Sequence, residues 1–206
     1  MKQNIIVALF DISSEAYQAF SELKAYSQTT DALVAQAVLI KKENGLIIPA
    51  ESTDFTANTA ESAWTGGLIG SLVGILGGPI GVLLGGAIGA LIGSDAGTAQ
   101  TLGEVSLLEN TAKKLDNGST AIIILAQESN EAVLDAFFHR FKTVILRQDA
   151  AVAQQDVLAA IEAQEEVARQ AHEAWKKQRK AERQEKVEAF KADIKQKFDE
   201  LAAKLK

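Results

Sequence analysis

Two histidines, no cysteine and scattered carboxylates are all that this 206-residue chain offers to metal or nucleophilic chemistry. His139 stands in the phenylalanine-rich stretch "AFFHRF" and His172 in a charged tail. Neither has carboxylates at ligand spacing, so both read as structural or exposed side chains. Without cysteine there are no disulfides and no thiolate metal sites, which fits a reducing compartment. No G-x-x-x-x-G-K-[ST] loop occurs. The one glycine-rich block has no lysine to reach a phosphate, and no two of its glycines lie two apart, so G-x-G-x-x-G is absent as well. Asp11 follows the first apolar run, where sandwich folds can place ligands, but a helix cap accounts for it more simply. Asn117-Gly118-Ser119 fits a glycosylation acceptor and, equally, a turn. The expectation is a protein that is not an enzyme, with no catalytic, cofactor-binding or metal residues.

The elements around these residues read clearly. "NIIVALF" (4–10) and "STAIIILAQ" (119–127) are compact and rich in β-branched residues, as strands buried on both faces are. "SSEAYQAFSELKAY" puts Ala16, Ala19, Phe20 and Leu23 on one helical face, with Ser13 or Asp11 as N-cap. "ALVAQAVLIKK", the turn Asn44-Gly45 and "LIIPA" form a hairpin, with Pro49 at a strand end or sheet edge. Leu102, Val105, Leu108, Ala112 and Leu115 make another helical stripe. "SNEAVLDAFFHRF" reads as a helix capped by Ser129, and "KTVILRQ" as a strand. The two strand-helix-strand halves echo each other in "SSEA" and "SNEA". They predict an α+β fold, a ferredoxin-like sandwich with helices on one face of a mainly antiparallel sheet, spanning 1–149.

That domain is interrupted at 62–97 by "GGLIGSLVGILGGPIGVLLGGAIGALIGSDAG", which holds 12 of the 15 glycines. Gly66, Gly70, Gly74 and Gly78 are spaced by four; after Pro79, so are Gly81, Gly85, Gly89, Gly93 and Gly97. Two such ladders let helix backbones approach closely, and Gly77-Gly78-Pro79 breaks them into the arms of a helical hairpin. Leu68, Leu72 and Leu76 stand near the far side of the first ladder, as Leu83, Ala87 and Leu91 do for the second. From Ser62 to Ser94 run 33 uncharged residues. Each arm is only about 21–22 Å of helix, short of a bilayer core of roughly 30 Å. The hairpin therefore dips into a membrane from one side, crosses once with a kink, packs between subunits, or lies inside the fold. Trp64 at its mouth suits an interfacial anchor.

Together "NIIVALF", the glycine block, "GSTAIIILAQ" and "TVILRQ" resemble the bacterial family called domain of unknown function 1269, over about residues 4–148. The resemblance implies this architecture and a membrane- or stress-linked protein without established activity. It does not extend to residues 150–206, which contain no Gly or Pro and read as one long charged helix. There Val187, Phe190, Ile194, Phe198, Leu201 and Leu205 form an apolar stripe, and Val157, Ile161, Ala168, Ala171 and Trp175 a weaker seam. From Glu173 onward 11 basic residues face 7 acidic ones, whereas the first 172 residues hold 10 against 20. The acidic body argues against nucleic acid as a partner. The stripe points to self-association or a helical partner, with an anionic membrane surface second. The expected protein is a self-assembling homo-oligomer at the cytoplasmic face of a membrane, with the lipid bilayer as a further partner.

Overall fold

The computed structural model describes residues 1–26, 28–55, 62–78, 81 and 106–204, with side chains at these positions except 62–66, 181, 190 and 193–204. The chain divides into two compact units, Met1–Ile161 and Glu162–Lys206.

In the first unit, strands β1 (Lys2–Phe10), β2 (Ala32–Glu43), β3 (Leu46–Asp54), β4 (Thr120–Glu128) and β5 (Thr143–Asp149) form one sheet in the order β3-β2-β4-β1-β5. Every pairing is antiparallel. Removing β3 leaves β2-β4-β1-β5, the order of a split β-α-β ferredoxin-like core, with α1 (Ser13–Lys24) and α4 (Ala132–Phe138) as its two crossover helices. Strand β3 extends the sheet at its edge, where Pro49 costs no ladder bond, and a register shift falls beside it between Leu39 and Ile40. Asn44 and Gly45 turn that hairpin with φ of 53° and 81°, the left-handed pair a two-residue turn requires. The Asn117 side chain accepts the Gly45 N–H at 2.8 Å, so the glycosylation-like triplet serves as a lock between two turns.

Helices cover both faces of the sheet, and this departs from the one-sided sandwich expected. On one face α1 and α4 bury Phe20, Leu23, Leu134 and Phe138 against Ile6, Ile122 and Ile124. On the other lie α2 (Ser62–Gly77), α3 (Leu107–Lys114) and the opening turns of α5 (Ala150–Lys204). Alternation along β1 and β4 sends Ile5 and Ile123 to this second face, and Ile6 and Ile124 to the first. Two-sided burial of these strands requires two covering layers.

The caps differ in detail from expectation. Helix α1 is preceded by Ile12, with no side-chain cap. Ser13 Oγ instead donates to the Gly118 carbonyl (3.0 Å) and accepts from Thr120 Oγ1 (2.8 Å), tying the helix start to the turn before β4. Asp11 lies on the surface facing Lys142 at 3.3 Å. At α4 the role expected of Ser129 falls to Asn130, whose Oδ1 accepts the Ala132 N–H at 3.1 Å, while Ser129 bonds Asp31. The first unit also runs past the expected boundary at 149, because Ala153 and Val157 pack into its core.

The second unit is helix throughout its described length. Its local contacts are surface ones: Arg169 and Gln170 hold Glu166, the Arg179 guanidinium stacks 4.4 Å over the half-exposed Trp175, and Gln178 donates to Glu182.

Candidate helix-docking surface

Helix α2 has two unlike faces. Leu68, Ile69, Leu72, Ile75 and Leu76 follow a 3.6-residue period and are all at least nine-tenths buried, packed on Val38, Ile40, Ile47 and Ile123. The opposite face carries Gly67, Gly70 and Gly74, all exposed. A Cβ built at any of these three meets no described atom within 4 Å. The leucine side therefore works as the lid of the sheet, and the glycine side presents bare backbone outward.

The lower end of the helix reverses the logic. A Cβ at Gly77 would stand 2.5 Å from the Ile47 carbonyl oxygen of β3. Here glycine lets the helix end touch the edge hairpin backbone to backbone. The helix stops at this point, and the Gly78 N–H closes it on the Ile75 carbonyl at 3.2 Å. A Cβ at Gly78 would meet the Gly74 carbonyl at 3.0 Å, and one at Gly81 would collide with the Leu76 backbone. The four-spaced series thus splits by role. Gly70 and Gly74 are open, whereas Gly78 and Gly81 are tight, as is Gly77 beside them.

These roles predict opposite signs for one substitution. Gly70→Ala and Gly74→Ala should each stabilise the fold by up to about 1 kcal/mol through helix propensity alone. Gly77→Ala should destabilise it by about 1–3 kcal/mol, the usual cost of forcing atoms into filled space. Urea unfolding of the three variants checks the reversal.

Beside the open glycines runs a groove of about 590 Å³ between α2 and the β2–β3 hairpin. Val73, Gly70 and Gly74 form one wall; Val38, Ile47 and Pro49 form the other. At its polar point sits Gln36, whose Oε1 is buried without a hydrogen-bond partner among the described residues. A buried acceptor left unpaired costs about 1–3 kcal/mol.

The remaining anticipated residues are placed as follows. Gly66 and Trp64 lie within α2, the Trp64 side chain outside the described set. Pro79, Gly85, Gly89, Gly93 and Gly97 lie outside the described residues, as does Leu205. Val187 is half-exposed on α5. Phe190, Ile194, Phe198 and Leu201 are in that helix, with side chains outside the described set. His139 and His172 are both on the surface, far apart in the chain. No described helix is long and apolar enough to cross a membrane.

One polar cluster went unnoticed in the sequence. Arg147 of β5 reaches Glu128 (3.1 Å), Asp135 (2.6 Å) and Glu131 (3.6 Å), and Asn4 donates to Glu128 at 2.8 Å. Burial opposes the Arg147 charge, but hydrogen bonding to Asp135 and the charges of Glu128 and Asp135 outweigh it and raise its pKa. Three carboxylates around one guanidinium tie β4, α4 and β5 together.

No curated protein and no solved structure matches the chain. Residues 63–162, which hold α2, α3, β4, α4, β5 and the opening turns of α5, match the family model described as "Protein of unknown function (DUF1269)", and through them the chain belongs to that family.

Proposed function

We propose that this chain is a non-enzymatic assembly protein in which α2 receives an apolar helix of a second copy along its glycine face. The observation that carries this reading is the open pair Gly70 and Gly74 beside a groove whose Gln36 acceptor has no partner among the described residues. The face is self-complementary: Val73 is a knob next to the furrow left by the two glycines, as a two-fold contact between identical patches requires. Burial between protein subunits suits α2 better than burial in lipid. Insertion of α2 would strip five buried aliphatic side chains from the sheet, at about 1.5–3 kcal/mol each.

The test replaces the open glycines by Gly70→Leu and Gly74→Leu together. Both positions have room, so the fold should persist while a second helix is kept away. Sedimentation of the wild type should show an oligomer, and the double variant should move to monomer while keeping the folded circular-dichroism spectrum. An unchanged oligomer would reject the glycine face as the contact. A wild-type monomer that floats with anionic vesicles would reject self-assembly in favour of lipid.

A further inference from the structure

A second cavity, of about 530 Å³, opens at the other end of the same sheet face. Leu33, Phe55, Leu68, Leu125 and Ala150 make its walls. Its polar groups are glutamines. Gln3 and Gln127 are cross-strand partners on β1 and β4, Leu33 faces Gln127 from β2, and Gln154 comes from the first turns of α5. The amide of Gln28 is spent on the start of β2, bonding both the Val34 N–H (2.7 Å) and the Val34 carbonyl (3.2 Å). The side chains of Gln3, Gln127 and Gln154 make no hydrogen bond among the described residues. No charged residue is among the described lining.

We infer that this cavity is a binding site for an uncharged amphiphile, an alkyl chain ending in an amide or hydroxyl group. The volume lies within the ~300–1,000 Å³ of small-molecule pockets, and apolar walls with few convergent polar groups are their usual composition. The alkyl chain covers Leu33, Phe55, Leu68 and Leu125. The head takes up amide donors and acceptors of the glutamines, which supply both kinds. Charge is selected against. A carboxylate or ammonium entering here finds no counter-charge among the described lining residues. The site is separate from the glycine face and does not depend on the assembly reading.

Calorimetric titration of the full chain with decanamide, decanoate and decylammonium, each below its aggregation concentration, tests the assignment. Decanamide should bind at one molecule per chain and at least about tenfold tighter than either ion, given the cost of an unpaired buried charge. Leu33→Trp, at a position already 37% exposed and therefore tolerant of a larger side chain, should fill the cavity and abolish decanamide binding. Gln127→Glu should shift preference to decylammonium. The Gly70→Leu, Gly74→Leu variant should bind as the wild type does. Absence of decanamide binding, equal binding of decanoate, or binding that survives Leu33→Trp in a folded variant would overturn the site.

Discussion

Leu72→Ala should cost the first unit about 2–5 kcal/mol of unfolding free energy, the range for removing a buried leucine and leaving part of its volume empty. Leu72 is 2% exposed and lies midway along the inner stripe of α2, over the second sheet face. Val73, one residue on but only partly buried at the edge of that core, should lose under about 1.5 kcal/mol as Val73→Ala, since it has less packed volume to vacate. Should Leu72→Ala fail to fold, Ile75→Val makes the same point at about 0.5–1.5 kcal/mol. Urea denaturation read by circular dichroism gives the numbers. The contrast between inner and outer positions is decisive. A helix detached from its own sheet would lose little at Leu72. Equal small losses at both positions would show that α2 does not belong to the core.

The core role of α2 was half-legible in the sequence. Leu68, Leu72 and Leu76 were seen opposite the glycine ladder, and "NIIVALF" and "AIIILA" were read as strands buried on both faces. Joined, those observations already require an apolar layer on the second face, and the glycine segment holds the apolar side chains to form it. What concealed the connection is that the segment carries no charge on any side. A helix marks its solvent face by polar residues, and here glycine takes their place, so hydrophobic periodicity has no contrast to show. The tail posed the reverse case. Val157 reads as part of a weaker seam along the tail helix, yet it is 4% exposed in the core, because the first turns of α5 finish the layer that α2 and α3 begin.

Elsewhere local rules were sufficient. The turn at Asn44-Gly45 and the buried face of α1 follow from patterns within a dozen residues. Cap assignment was not local enough. Ser13 and Ser129 have the right chemistry at the right positions, but each is drawn to a partner distant in sequence, Gly118 and Asp31. The side-chain oxygens that a helix start could have used are engaged by tertiary contacts, and no pattern along the chain announces that competition.

The same limit hid Arg147, whose partners lie on three elements, and its removal is the other large effect expected. Arg147→Met should destabilise the unit by about 3–5 kcal/mol, because it leaves a carboxylate uncompensated in the interior. Glu128 is fully enclosed, and apart from Arg147 its described hydrogen bond is the one from Asn4. The loss should be largely recovered by adding Glu128→Gln, which removes the stranded charge and still accepts from Asn4. With the raised pKa of Arg147, the guanidinium's own contribution is present at all lower pH and is lost only as pH climbs through its folded value, in strongly alkaline solution. Across the neutral range, therefore, Arg147 adds no slope to the wild-type stability curve. Chemical denaturation of wild type, Arg147→Met and the double variant measures the rescue. If the double variant is no more stable than Arg147→Met alone, charge compensation is not what Arg147 provides, and its packing against the β4–α4 corner is.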